Sequence, residues 1–180
     1  MIFDVSQCHC KVILYEVIKE WIIPSKIGNI DMSLYLEDED AMSRVSKGFS
    51  ERSNGVLTGA IGAIDGWLVK IIRPSWGLDR IRNSITFFSR KGFFALNVQC
   101  IVDHDKKVLW ASYRHKGSSH DSSAFRDTKL YELLKQKADW LYDRGYFILG
   151  DSAYAIESFI YLHIIWLNRS LLRMTLIFII

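Results

Sequence analysis

The chain of 180 residues contains little cysteine and almost no proline, with three Cys and two Pro. Cys8, Cys10 and Cys100 are an odd number with one close pair, which excludes a disulfide framework and indicates a reducing compartment. A single residue separates Cys8 from Cys10 and no second pair follows, so no zinc site is predicted. The N-terminus has no basic region before an apolar run, and no secretory signal is therefore expected.

The composition is that of one globular domain. Hydrophobic residues make up 49% of the chain, aromatic residues 13% and charged residues 24%, which argues against disorder. The net charge of +3 permits a nucleic-acid partner without requiring one. The acidic run Glu37-Asp38-Glu39-Asp40 is interpreted as a solvated surface rather than a metal site.

The N-terminal segment, residues 1–50, is predicted to be helical. Apolar residues recur at near-helical spacing over residues 7–27, and Pro24 ends that helix. A second, short helix is predicted over Ala41 to Phe49.

The order of the elements that follow predicts an α/β, ribonuclease-H-like fold. Such a fold has a three-stranded antiparallel part, a crossover helix and then a strand parallel to the first. The order alone fits several α/β folds. The predicted elements are strands at Val56–Ile72, Phe93–Asp103 and Lys107–Tyr113, with a hairpin connection at residues 103–106, one helix at Ser122–Trp140 and a strand at Tyr146–Leu149.

The tail, residues 158–180, is strongly apolar and about as long as a membrane span. Arg169 and Arg173 lie in its middle, where each Arg costs roughly 2.5–3.5 kcal/mol on insertion. A membrane segment is therefore disfavoured, which leaves a buried helix or sequence from a misread gene model as the alternatives.

Two aspartates end or interrupt apolar strands. Asp65 lies within the first predicted strand and Asp151 follows the last one directly. An ionised carboxylate in such a place is costly unless it is paired or binds a metal. Adjacent parallel strands would bring the two together as hard oxygen ligands for Mg²⁺ or Mn²⁺. The alternative is that Asp65 caps a turn at Gly66 and that Asp151 caps a helix beginning near Ser152.

Four motifs in order resemble the DDE domain of Harbinger-type transposases and their domesticated nuclease relatives. The motifs are Gly62-Ala63-Ile64-Asp65-Gly66, the stretch Ser89 to Gln99, Gly117-Ser118-Ser119-His120-Asp121-Ser122 and Leu149-Gly150-Asp151-Ser152-Ala153-Tyr154. The resemblance places the nuclease-like domain at about residues 55–157. It implies a metal-dependent enzyme that cuts DNA, with a divalent cation (Mg or Mn), and a nuclear location.

The resemblance also assigns the catalytic acids. It implies that Asp65 and Asp151 are two of three catalytic, metal-binding acids. The third, a Glu on a later helix, has no counterpart, because no acidic residue follows Glu157. Impaired activity is therefore expected, and a truncated domain is the expected reason. Trp67-Leu68 stands where the family usually has Thr-His.

Asp121 and His120 are auxiliary candidates. Asp121 opens the predicted helix, so capping is one interpretation and direct participation in the site is the other. His120 is a candidate for orienting a carboxylate or a phosphate, with simple polar packing as the alternative.

Arg90, Lys91 and Arg73 are the candidate DNA contacts. Arg90 and Lys91 precede a strand whose partner carries Asp65, and such cations can bind phosphates without reading bases. The alternative is that these cations are ordinary surface charges without a binding role.

The family resemblance further implies DNA as the partner, residues 1–50 as the remnant of a DNA-binding helix-turn-helix, and a separate DNA-binding partner protein. The oligomeric state is left open.

Overall fold

The computed structural model describes residues 32–74, 84–154 and 159–162. The helix predicted over residues 7–27 lies outside these residues, as does most of the tail. The described elements in chain order are α1 (Met32–Tyr35), α2 (Glu39–Arg52), β1 (Ala60–Lys70), β2 (Ala95–Val102), β3 (Val108–Lys116), α3 (Asp121–Arg126), α4 (Lys129–Gln136), α5 (Ala138–Asp143), β4 (Phe147–Gly150) and β5 (Ile160–Leu162).

Helix α2 confirms the helix predicted over Ala41 to Phe49 and extends it at both ends. Asp38 caps its N-terminus by accepting a hydrogen bond from the backbone N–H of Ala41, at 2.8 Å. Met42, Val45 and Phe49 form the buried stripe of the helix. The acidic run at residues 37–40 is exposed, as the surface interpretation predicts.

The sheet has five strands in the order β3-β2-β1-β4-β5. Strands β1, β2 and β3 pair antiparallel, whereas β4 pairs parallel with β1 and β5 pairs parallel with β4. The three helices α3 to α5 connect β3 to β4. This arrangement confirms the predicted ribonuclease-H-like fold.

The predicted hairpin connection between β2 and β3 is also confirmed. The carboxylate of Asp103 accepts hydrogen bonds from the backbone N–H groups of Asp105 and Lys107, both at 2.8 Å. Lys106 has a positive φ of 65°, as a tight turn requires of one residue. These hydrogen bonds therefore stabilise the turn that joins β2 to β3.

The prediction of one helix over Ser122–Trp140 is wrong, because the segment forms three short helices. The hydroxyl of Thr128 donates to the carbonyl of Phe125 at 2.7 Å and accepts from the N–H of Tyr131 at 3.1 Å. It therefore ends α3 and caps α4 at the same position. Leu134 and Leu141 still reach the core, which is why the apolar period resembles that of one helix.

Strand β5 lies within the apolar tail, residues 158–180. Residues 160–162 pair with β4 and are a strand, so a helix is wrong for this part of the tail. Residues 163–180 lie outside the described part of the chain. Among the described helices, none is long and apolar enough to cross a membrane.

The core lies where the sheet packs against the helices, and Ile148 of β4 is fully buried in it. We expect Ile148→Ala to lower the free energy of unfolding by about 2–5 kcal/mol, because it leaves a cavity beside the central strands. Ile85 is 64% exposed. Ile85→Ala is the matched control and should change stability by no more than about 0.5 kcal/mol. Urea unfolding of both variants measures the difference, and equal losses would contradict this account of the core.

Candidate metal and nucleic-acid site

The parallel pairing of β1 with β4 brings Asp65 and Asp151 to the same level. Ala63 lies opposite Leu149 in the register of the two strands. Asp65 is two residues beyond Ala63 and Asp151 is two residues beyond Leu149. Because side chains alternate along a strand, this spacing gives the two aspartates corresponding positions on neighbouring chain segments.

The alternative that each aspartate only caps a turn or a helix does not fit Asp65 and fits Asp151 in part. Asp65 accepts from the N–H of Gly66 at 2.7 Å, but β1 continues through Lys70 without a turn. Asp151 accepts from the N–H of Ala153 at 2.8 Å and so does stabilise a turn. A turn contact of this kind leaves the other carboxylate oxygen available.

The electrostatic environment of Asp65 opposes its ionisation. Burial raises the pKa of the Asp65 carboxyl, and the carboxylates of Asp151 and Asp121 raise this pKa further. The N–H of Gly66 and the charge of Lys91 act in the opposite direction and do not cancel the effect. Three carboxylates are thus close enough to repel one another, which a bound cation would relieve.

Cys100 lies directly opposite Asp65 in the pairing of β1 with β2. Burial, together with the charge of Asp65, raises the pKa of the Cys100 thiol to about 12. The thiolate is the form that binds metals, so the raised pKa disfavours this thiol as a ligand relative to the carboxylate oxygens of Asp65 and Asp151.

Asp121 is the first residue of α3, as its position in the sequence predicts, but its side chain does not cap the helix. One carboxylate oxygen accepts from the side-chain amides of Asn97, at 2.8 Å, and Gln99, at 3.1 Å. The other oxygen lies 3.7 Å from the guanidinium of Arg90. The capping interpretation of Asp121 is therefore wrong: the side chain lies against Gly66 of β1, where its charge raises the pKa of the adjacent Asp65.

Gly66 makes this approach of Asp121 possible. A Cβ atom at position 66 would collide with the carboxylate of Asp121 and would lie 2.8 Å from the amide nitrogen of Gln99. The absence of a side chain next to Asp65 thus lets α3 begin against the middle of β1.

Arg90, Lys91 and His120 lie around one cleft above this region. The cleft is lined by Gly66, Leu68, Arg90, Lys91, Asn97, Gly117, Ser118, Ser119, His120 and Asp121. Arg90 and His120 are exposed, and His120 makes no side-chain capping bond to α3. The cationic side chains of Arg90 and Lys91 therefore line the same cleft as the carboxylate of Asp121.

Arg73 is not part of this cleft. Its guanidinium lies 5.8 Å from the ring centre of Phe94 and its Nε donates to the hydroxyl of Ser84 at 3.3 Å. The other basic residues that accompany it in the sequence, Arg80 and Arg82, lie outside the described residues. Of the three candidate DNA contacts, Arg90 lies next to Asp121 and the charge of Lys91 acts on Asp65, whereas Arg73 lies elsewhere. The cleft that Arg90 and Lys91 line includes Asp121 but neither Asp65 nor Asp151.

Sequence reasoning gave no role to Asn97, Gln99 and Tyr154. Asn97 and Gln99 are 1% and 0% exposed, and the hydroxyl of Tyr154 donates to Gln99 Oε1 at 2.6 Å. A signal was present, because two amides alternate on one face of an otherwise apolar strand. Buried amides in such a position require partners.

The donors at this site suit a hard divalent cation in chemical type. Carboxylate oxygens are the ligands that Mg²⁺ and Mn²⁺ prefer. Burial raises the pKa of Asp65, and the negative charges of Asp151 and Asp121 raise it further, so a cation there would be favourable. Within the described residues, however, no three His, Cys, Asp or Glu side chains are grouped closely enough to hold a metal ion. The described residues therefore offer a cation two carboxylates, those of Asp65 and Asp151. The carboxylate of Asp121 is nearby but already contacts Asn97, Gln99 and Arg90.

Comparison with known proteins gives one match. The family model described as DDE superfamily endonuclease matches residues 64–169, more than half of the chain, and this range contains Asp65, Asp121 and Asp151. Neither the curated proteins nor the solved structures contain a match to the chain.

The raised pKa of Asp65 predicts a pH-dependent effect of Asp65→Asn. Because the folded-state pKa lies above the ordinary value of about 3.9, the folded protein holds this proton more tightly than the unfolded chain. Ionisation of Asp65 therefore costs stability as pH rises from that ordinary value through the folded-state pKa. Asp65→Asn removes the cost, so the variant should be more stable than wild type at pH 7 and equally stable near pH 3.

Chemical unfolding at several pH values measures this effect. Exposed Asp139 in α5 supplies the control, since Asp139→Asn should change stability by no more than about 0.5 kcal/mol at any pH. A loss of stability at pH 7 in Asp65→Asn would contradict the electrostatic description of the site.

Proposed function

Because this chain belongs to the DDE superfamily endonuclease family, we propose that it is a divalent-metal-dependent endonuclease domain of the transposase type that acts on DNA phosphodiester bonds. The four motifs that resemble Harbinger-type transposases support that subtype. The observation that carries the proposal is that Asp65 in β1 and Asp151, directly after the parallel strand β4, lie equally far beyond the paired residues Ala63 and Leu149, in surroundings that oppose the ionisation of Asp65.

Asp65 and Asp151 are the residues that would hold the cation. A divalent cation held there would supply Lewis-acid stabilisation of a phosphate oxygen and would lower the pKa of a water bound to it. The protein contributes one carboxylate from within β1, one from the turn directly after β4, and a partly buried environment. In such surroundings, interactions between charges are stronger than in water.

Arg90 and Lys91 supply the contacts proposed for the DNA backbone. Both line the cleft that also contains Asp121, and Arg90 is 75% exposed, so its guanidinium can reach a phosphate. Contacts of this kind position DNA without reading its sequence. Arg73, which packs on Phe94 away from the cleft, would contact DNA only at a distance from the acids.

Impaired catalysis is part of the proposal. These 180 residues contain no acidic residue after Glu157, so the polypeptide itself supplies two of the three acids that the family uses. Loss of one preorganised electrostatic group typically lowers a rate by about 10²–10³-fold. Asp121 does not replace the third acid in the described arrangement, because Asn97, Gln99 and Arg90 occupy its carboxylate.

A second candidate function is a non-catalytic, domesticated module that binds DNA or protein. It is favoured by the lack of a three-ligand cluster among the described residues. The other non-catalytic possibility is that the chain is a non-functional fragment of a mobile element. A nuclear location and a separate DNA-binding partner protein complete the proposal, on the basis of the resemblance alone.

The test is nicking of supercoiled plasmid by the purified 180-residue polypeptide with Mn²⁺, against the same reaction with EDTA. We expect slow nicking that requires Mn²⁺ and is lost in Asp65→Ala and in Asp151→Ala. Asp139→Asn, with its exposed side chain, should leave the rate unchanged.

Each other result excludes part of the proposal. Rapid nicking that Asp65→Ala abolishes would show that a third acid is not needed. Nicking that persists in both alanine variants would exclude the proposed metal site. Salt-dependent DNA binding without any nicking, unaffected by either variant, would favour the binding module.

A further inference from the structure

A chain of hydrogen bonds runs along β2 on the face of the sheet where Gly66 leaves space. It runs from the hydroxyl of Tyr154 to Gln99 Oε1, from Gln99 Nε2 to Asn97 Oδ1 at 2.7 Å, and from both amide nitrogens to Asp121. Asn97 also donates to the carbonyl of Ser119 at 3.0 Å. All four polar side-chain atoms of the two buried amides therefore have partners.

The direction of these hydrogen bonds is fixed by chemistry. A carboxylate only accepts, so Asn97 and Gln99 must both turn their nitrogens towards Asp121. The amide oxygen of Gln99 is then left to accept from Tyr154. Burial and the three carboxylates of Asp121, Asp65 and Asp151 raise the pKa of the Tyr154 phenol far above its ordinary value, so the hydroxyl remains a donor at neutral pH.

Tyr154 belongs to the same turn as Asp151. Its backbone N–H donates to the carbonyl of Asp151 at 3.1 Å, and the Asp151 carboxylate accepts from Ala153 within the turn. The ring of Tyr154 is 2% exposed and meets Phe125 edge to face at 6.1 Å. The side chain of Tyr154 therefore anchors the turn that carries Asp151 in the core.

The anchor has a geometric consequence. Strand β4 ends at Gly150, so the ladder with β1 does not itself fix Asp151. Gln99 lies opposite Gly66, the neighbour of Asp65, in the pairing of β1 with β2. The hydrogen bond from Tyr154 to Gln99 thus ties the turn of Asp151 to the strand that sets the position of Asp65.

We propose that Tyr154, held by Gln99, is a positioning residue that keeps Asp151 at the distance from Asp65 at which both bind one divalent cation. This inference rests on the proposed function. Hydrogen-bonding partners behind metal ligands commonly change metal affinity by about 10–100-fold when they are removed.

The test compares two buried tyrosines by replacing each with phenylalanine. Tyr154→Phe keeps the ring and removes only the donor to Gln99. Tyr35→Phe is the matched control, because Tyr35 is 3% exposed and its hydroxyl donates at 2.8 Å to the carbonyl of Ile61, four residues before Asp65. Calorimetric titration with Mn²⁺ measures the affinity of each folded variant, and circular dichroism verifies the folding.

We expect Tyr154→Phe to weaken Mn²⁺ binding by about 10–100-fold and Tyr35→Phe to leave it within about twofold of wild type. Gln99→Met removes the same hydrogen bond from the other side, together with the bonds from Gln99 Nε2 to Asn97 and Asp121, and should weaken binding at least as much. The double variant should bind Mn²⁺ no more weakly than Gln99→Met alone, because Gln99→Met already removes the bond that Tyr154→Phe removes.

If wild type and Tyr154→Phe bind Mn²⁺ with equal affinity, the positioning role of Tyr154 is wrong, although the proposed metal site remains. Additive losses in the double variant would overturn it as well, since the two residues would then act separately. Absence of Mn²⁺ binding in wild type would instead overturn the proposed function, and the positioning role with it.

Discussion

Strands β1 and β4 run parallel with Ala63 opposite Leu149, and the position of every candidate ligand depends on this register. A parallel strand requires a crossover connection, which the helices between β3 and β4 provide. Two residues past the paired positions, Asp65 and Asp151 reach the same level of the sheet. A shift of β4 by one residue would turn Asp151 to the other face and separate the two carboxylates.

Placing carboxylates together in a partly buried region costs stability, and the surrounding structure offsets only part of that cost. Asp121 receives two amide donors and a nearby guanidinium, whereas Asp65 receives the N–H of Gly66 and the more distant charge of Lys91. Asp65 therefore has fewer compensating contacts than Asp121. Perturbation of this kind, in a region bordered by a cleft, is typical of functional sites and has no evident use in folding.

Sequence reasoning predicts the strand order because each strand carries its own local pattern of apolar residues. Helix α2 and the turn at Asp103 follow from local signals in the same way. The break at Thr128 was missed, because the apolar period of Phe125, Leu130 and Leu134 continues across it. The sequence does not predict strand β5, because three apolar residues within a long apolar run are compatible with a helix and with a strand.

The candidate site shows the same division between local and tertiary information. Asp65 and Asp151 stand out in the sequence because each is an acid at an apolar strand. The role of Asp121 cannot be seen in the sequence, because an acid in the first turn of a helix is ordinarily explained by capping. The residues that Asp121 contacts lie in β2, more than twenty residues away in the chain. The same is true of Tyr154 and Gln99, which are 55 residues apart and meet only in the folded chain.

Fe²⁺ bound in place of Mg²⁺ tests the central claim, that Asp65 and Asp151 hold one divalent cation, most directly. With ascorbate and peroxide, bound iron generates hydroxyl radicals that cut the polypeptide close to the metal. The account predicts two cut sites, one near residue 65 and one near residue 151, both suppressed by excess Mg²⁺ and both lost in Asp65→Ala. Cuts confined to one of these positions, or cuts elsewhere that Mg²⁺ does not suppress, would contradict it.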